Sequence, residues 1–271
     1  MNNKKYIIAI DMDGTLLTDS KKITPKTVDF LKKLNNEGHC IVIASGRPLR
    51  ACIKYQEQLD VKAPIICYNG ALVIDPHNNK IEKRIVTLNR KYVSEIIDQI
   101  GLENLDNMML ETENHIYLLK RDDQLNVFFW NQGLDVIYGE PRENLIEDSM
   151  TLIFKLKERN PEFDDFIVKT VEQYPNFNLR FWDDSSYCEA FLTNGTKKHA
   201  FKYLAEQLGF DHSQTIAIGD AENDIGMIEW ARYGIAMSNS VDIIKNAATH
   251  ITKDDNNNDG IIEVLTEIIY Q

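Results

Sequence analysis

Two carboxylates one residue apart, Asp11 and Asp13, stand in the run Asp11-Met12-Asp13-Gly14-Thr15, directly behind the apolar residues 6–10. The apolar run reads as a buried strand, so the pair is delivered to that strand's carboxyl end, the edge where open parallel sheets bind ligands. Gly14 permits a sharp turn and a close backbone approach, although a plain acidic turn uses the same residues. A second strand end follows at Ile43-Ala44-Ser45-Gly46-Arg47-Pro48. There a hydroxyl and exposed N–H groups at a helix start can form an anion pocket. A third, Ile218-Gly219-Asp220-Ala221-Glu222-Asn223-Asp224, puts Asp220 at a strand tip and Asp224 four residues on, where the two share a helical face. Helix capping accounts for one of those carboxylates; it does not account for two beside an asparagine.

Brought together, Asp11, Asp13, Asp220 and Asp224 could not all stay ionised without a counter-charge, because like charges raise one another's pKa. Oxygen-only donors suit Mg²⁺ better than zinc, and Mg²⁺ usually takes a few carboxylates, waters and a substrate phosphate. Phosphate monoesters are the substrates whose slow uncatalysed cleavage most demands such electrostatics. A lysine would balance the remaining charge. Lys197-Lys198 follow the turn Asn194-Gly195, but by residue type alone they read as a solvated pair.

The elements needed to position these groups are legible in two textures. Up to about residue 83, a strand at 6–10 is followed by a helix from Thr24-Pro25, a favourable cap and first residue. Val28, Leu31 and Leu34 recur at helical spacing until Gly38. A strand at 40–44, a helix at 50–59 and a strand at 65–68 continue the alternation. It returns late, with a helix at 197–208, a strand at 215–218, a helix at 223–231, a strand at 234–237, and helices at 241–247 and 261–270. Strand–helix alternation at short spacing predicts one doubly wound, mostly parallel α/β sheet built from residues 1–83 and 188–271. Between them, residues 84–187 change texture. Segments 115–120, 151–157, 179–182 and 187–192 alternate like half-exposed antiparallel strands, with helices at 92–100 and 162–173. This predicts an inserted α+β domain.

The chain has 271 residues, ample for two domains at roughly 150 residues each. With 30 Lys+Arg against 42 Asp+Glu, its net charge is −12, which opposes nucleic acid or an anionic membrane as partner. The insert carries 11 basic and 20 acidic residues, net −9. Attraction of a phosphate would therefore be local rather than long-range. No apolar run approaches the roughly 18 residues of a membrane span, and the N-terminus lacks the apolar stretch of a signal peptide, so a cytoplasmic location is expected. Cys40, Cys52, Cys67 and Cys188 are scattered without metal-type spacing. Asp255-Asn256-Asn257-Asn258-Asp259-Gly260 fits the first half of a calcium loop, but Thr266 stands where a bidentate Glu belongs. A loop capping the last helix is the better reading.

Taken together, Asp11-Met12-Asp13-Gly14-Thr15, Ser45, the lysine pair and Gly219-Asp220-Ala221-Glu222-Asn223-Asp224 resemble the four motifs of the haloacid dehalogenase-like superfamily. Tyr68-Asn69-Gly70-Ala71 and Gly234-Ile235-Ala236-Met237-Ser238-Asn239 are similar to the pattern of its Cof-type phosphatases. The insert resembles that family's large α/β (C2-type) cap in position, length and texture, and a cap closing over the site would admit small metabolites and exclude phosphoproteins.

The resemblance implies a Mg²⁺-dependent phosphatase acting on small phosphorylated metabolites, sugar phosphates in particular. It implies Asp11 as the nucleophile that becomes an aspartyl-phosphate, and Asp13 as general acid and then general base. It implies a metal held by Asp11, the carbonyl of Asp13 and Asp220, with Asp224 more remote or acting through water. Ser45 and the N–H groups of Gly46 and Met12 would hold phosphate oxygens, Lys197 would neutralise charge, and Asn223 would reach the transferred group. The chain departs from the family's usual Lys-Gly third motif, so Lys198 stays open beside Lys197, and Thr193-Asn194-Gly195 replaces a proline-containing lead-in. A phosphomutase and a catalytically silent phosphometabolite sensor are the alternatives.

Overall fold

The strand Ile7–Ile10 is apolar at every position and buried on both faces, as a central strand of a parallel sheet must be. In the computed structural model, which describes residues 4–77, 81–182 and 185–270, it sits between Thr215–Gly219 and Cys40–Ile43. The sheet runs His250–Ile251, Tyr233–Ala236, Thr215–Gly219, Ile7–Ile10, Cys40–Ile43, every pair parallel. Ile65–Cys67 joins this edge through a single bridge, Ala44 to Ile66, and turns back antiparallel against Leu72–Ile74. The reversal occurs at Tyr68–Gly70, where Asn69 adopts a left-handed backbone with φ of 56°.

Alternation along the strands divides their side chains between two layers. Ile7, Ala9, Val42 and Ala217 pack with Phe201 and Leu204 of the helix Lys197–Gln207 and with Met227. On the helix Pro25–Asn36, Leu31 and Leu34 are buried, and Thr24 caps its start by accepting the Thr27 N–H. That helix lies against Ile261–Tyr270. The helix expected from residue 223 starts differently: Glu222–Asp224 forms one tight 3₁₀ turn before the α-helix Ile225–Trp230. Its cause is the Asp224 side chain, which turns back onto the N–H groups of Asp220 and Ala221.

The chain divides into two compact units, one formed by residues up to Arg84 and from Thr196 onward, the other by Ile85–Gly195. The second is a six-stranded sheet in the order Phe177–Phe181, Tyr187–Leu192, Thr151–Leu156, Leu105–Glu111, Ile116–Leu118, Val136–Tyr138. It is antiparallel except for its last pair. Leu110, Leu152, Phe154 and Ala190 pack with Val93, Ile97, Ile167 and Val171 from the helices Arg90–Ile100 and Pro161–Glu172. The architecture is thus α/β, a mostly parallel sheet with an inserted α+β unit.

Two further details differ from the sequence reading. The return falls past residue 192 rather than at 187, because Tyr187–Leu192 is hydrogen-bonded between two strands of the insert. Leu105–Glu111 was not foreseen as a strand. Met108-Met109-Leu110 does not alternate, since both faces are covered there, and the pairing shifts between Leu105 and Asn107. The carboxylates of the acidic loop near 255–259 are engaged within the protein: Asp255 accepts from the Asn257 backbone and Asn258 side chain, and Asp259 from the hydroxyls of Thr24 and Thr27 at the start of the helix Pro25–Asn36.

Phe201 is fully buried, edge-on to Trp230 with ring centroids 5.4 Å apart, and it anchors the helix that begins at Lys197. Phe201→Ala should lower stability by about 3–5 kcal/mol, read as a drop in the urea midpoint.

Candidate active site

Two loops of the first unit, at the carboxyl ends of Ile7–Ile10 and Thr215–Gly219, and the first turn of the helix Lys197–Gln207 converge on one buried cluster. The carboxylates of Asp11, Asp220 and Asp224 each offer an oxygen within 4.8 Å of the others. Lys197 Nζ lies between two of them, donating to Asp11 Oδ1 at 2.5 Å and to Asp224 Oδ1 at 2.6 Å, with none of its side chain exposed. A lysine in the first turn of a helix opposes the helix dipole and is almost never fully buried without a partner. Lys197 has two. Lys198 is half-buried and lays its stem along Gly226 instead, so Lys197 is the lysine that reaches the carboxylates.

Backbone geometry makes the crowding possible. Gly14 has φ of +80°, and a Cβ there would lie 2.2 Å from Asp220 Oδ2. At Gly219 a Cβ would lie 2.4 Å from the Asp224 side chain. Thr15 donates its hydroxyl to Asp220 Oδ1 at 2.7 Å, and Asn239 donates to the Gly14 carbonyl at 2.9 Å. Asp224 does two things at once: Oδ1 accepts from Lys197 while Oδ2 accepts the N–H groups of Asp220 and Ala221, each at 3.1 Å. The capping role and the site role therefore fall on one residue.

The Asp13 carboxylate is not in this cluster. The chain leaves the strand and turns at residues 12–15, and this turn carries Asp13 to Arg47 and Lys21. Oδ2 accepts from Arg47 Nε at 2.7 Å; Oδ1 accepts from Arg47 Nη2 at 2.5 Å and Lys21 Nζ at 2.6 Å. Ser45 is buried, and its Oγ accepts the Arg47 N–H at 3.2 Å. Gly46 leaves room for Asn69, whose Oδ1 would stand 2.9 Å from a Cβ at that position and accepts from Asn223 Nδ2 at 2.7 Å. Met12 is wholly buried. Arg47, Thr15, Lys21 and Asn69 were not singled out from sequence as site residues. The arginine beside an anion-loop serine was the available signal; the other three become neighbours only through folding.

Charges in the cluster do not cancel. Three carboxylates face one ammonium, leaving two negative charges in a mostly buried place. Burial pushes Asp220 up to about 6, against the Thr15 hydrogen bond, with Asp224 adding to the rise. Burial likewise raises Asp11 well above the ordinary carboxylate range; Lys197 opposes this, and Asp224 and Asp220 reinforce it. For Lys197, burial favours the neutral amine, but Asp11 and Asp224 outweigh it and hold the ammonium charged. Asp13 is the reverse case: burial raises it, and the hydrogen bonds from Arg47 and Lys21 win, keeping it below the usual range. An all-oxygen set short of positive charge could hold a hard divalent cation.

Comparison with known proteins agrees with this geometry. The family model for haloacid dehalogenase-like hydrolases matches residues 8–265. A 5-amino-6-(5-phospho-D-ribitylamino)uracil phosphatase of Bacillus subtilis is 30% identical over 269 residues, covering 98% of each chain. A solved structure from Thermotoga maritima superposes with a TM-score of 0.78 at 25% identity over 97% of both chains. A sugar phosphatase of haloacid dehalogenase subclass IIB superposes at 0.81 and 18% identity, over 97% of this chain and 99% of its own. The chain belongs to the haloacid dehalogenase-like hydrolases, as a Cof-type phosphatase.

The raised Asp220 predicts a pH trend. Its folded pKa of about 6 exceeds the ordinary 3.8, so the folded state holds the extra proton, and stability falls as pH rises through 6. Chelator-treated protein should melt higher at pH 5.5 than at 7.5, and Asp220→Asn should flatten that difference. An unchanged slope in Asp220→Asn would contradict the assignment.

Proposed function

We propose that this phosphatase hydrolyses small phosphate monoesters, sugar phosphates above all, with Mg²⁺ and through an aspartyl-phosphate on Asp11. The observation that carries the reading is the buried set of Asp11, Asp220 and Asp224 with a single ammonium, Lys197, between them. The two uncompensated charges and the all-oxygen donors suit Mg²⁺. Asp11, Asp220 and the Asp13 carbonyl would hold it, with Asp224 more remote. When bound, the ion supplies positive charge to phosphoryl oxygens as negative charge develops on them.

Asp11 attacks phosphorus in line, forming an O–P bond as the ester oxygen leaves. Lys197 opposes the burial that favours protonated Asp11 and shields the carboxylate's charge from the incoming phosphate. Arg47 and Lys21 favour ionised Asp13 in the free protein, so it must first gain a proton; it then gives that proton to the departing oxygen and takes one back from the water that cleaves the acyl-phosphate. Ser45 and the N–H groups of Gly46 and Met12 are the phosphate donors in this reading, and Asn223, tethered by Asn69 at 2.7 Å, reaches the transferred group. We read Ile85–Gly195 as the family's cap. The sugar-phosphate class is supported by the 30% identical relative, a phosphatase of a phosphoribityl compound.

We place the protein in the cytoplasm. Among the described residues no helix is long and apolar enough to cross a membrane, and Cys52 and Cys188 are buried thiols.

Phosphate release from a panel of sugar phosphates and an aryl phosphate tests the proposal. Turnover should vanish on chelation, return with Mg²⁺, and fall at least ~10³-fold in Asp11→Asn. Retained turnover in Asp11→Asn would defeat the covalent route, and a strict need for a bisphosphate activator would favour a phosphomutase.

A further inference from the structure

We infer that Arg47 is the positioning residue for Asp13, fixing the direction in which its carboxyl exchanges protons with the leaving oxygen and with water. Arg47 Nε and Nη2 bind the two oxygens of Asp13 separately, at 2.7 and 2.5 Å. A two-point contact fixes the plane of a carboxylate as well as its position, which a point charge cannot do. The side chain of Arg47 is only 7% exposed, whereas Asp13 is 41% and Lys21 55% exposed. Arg47 is thus the inner, held partner and Lys21 the outer, displaceable one.

Arg47 is in turn fixed by its surroundings. Its N–H donates to Ser45 Oγ, and its carbonyl accepts the Tyr68 N–H at 3.2 Å. Its guanidinium lies 5.8 Å from the centre of the Tyr55 ring, and the Tyr55 hydroxyl donates to the Lys21 carbonyl at 3.0 Å. One tyrosine therefore ties together both cations that grip Asp13. Such a frame exceeds what an exposed ion pair needs for stability, but it suits a group whose direction matters.

The inference rests on Asp13 being the acid and base of the proposed reaction. In the first half, the Asp13 proton passes to the ester oxygen as its bond to phosphorus breaks and the Asp11–phosphorus bond forms. In the second, a water oxygen bonds to phosphorus, the Asp11–phosphorus bond breaks, and the water proton returns to Asp13. Arg47 keeps its own protons throughout and acts through direction alone.

The test compares kcat and KM for a sugar phosphate and for p-nitrophenyl phosphate, whose leaving group needs no proton, in Asp13→Asn, Arg47→Met, Arg47→Lys and Lys21→Met. Asp13→Asn should lose far more on the sugar phosphate. Arg47→Met should follow the same pattern, with kcat on the sugar phosphate down about 10–100-fold and KM for both within about threefold. Its kcat on the aryl phosphate should stay within about threefold, since acid catalysis is not needed there. Arg47→Lys should recover the sugar-phosphate rate only in part, and Lys21→Met should show a weaker loss of the same kind. Should Arg47→Met fail to fold, Arg47→Lys carries the same comparison. Equal losses on both substrates, or a raised KM with weaker inhibition by inorganic phosphate, would overturn the inference and make Arg47 a phosphate ligand. An Asp13→Asn that treats both substrates alike would instead overturn the proposed reaction.

Discussion

Lys197 Nζ has no exposed surface and touches two carboxylates that are themselves buried. Removing a charged amine from water is tolerable only where opposite charge meets it, and that demand organises the first unit. It brings the loop after Ile7–Ile10 against the loop after Thr215–Gly219, two strands paired in register through Ile10 and Ile218. It requires glycine at residue 14, where any side chain would strike Asp220. It also draws the first turn of the helix Lys197–Gln207 inward, against the helix dipole, with Phe201 and Leu204 holding the rest of that helix to the sheet.

The same contact leaves the cluster short of positive charge. One ammonium cannot neutralise three carboxylates, and the rise of Asp220 and Asp11 is the electrostatic record of the deficit. Asp13 stands nearby in the opposite condition, held below its ordinary range by two cations. Two carboxyl environments of opposite character thus stand in one short segment, because the turn after Asp11 carries Asp13 out of the cluster to Arg47 and Lys21.

How much of this was legible beforehand depended on whether the signal was local. The strands at 7–10, 40–43 and 215–219 and the capped helix from residue 25 follow from runs and caps contained in a few residues. Leu105–Glu111 was not legible, because a strand buried on both faces loses the alternation that marks one. The alternation at 187–192 marks a strand of the insert, as its pairing with 151–156 and 177–181 shows, so the boundary falls after that strand rather than at its first residue.

By itself the amino-acid order determined the candidate acids, Asp11, Asp13, Asp220 and Asp224, and the strand ends that deliver them, because side-chain type and short-range periodicity are properties of neighbouring residues. Tertiary structure decided which groups meet. It chose Lys197 over Lys198, since helix phase carries one inward and the other onto Gly226. It turned Asp13 away from the cluster and gave it Arg47, 34 positions along the chain. Contacts of that range depend on the closure of a whole sheet, which no local pattern records.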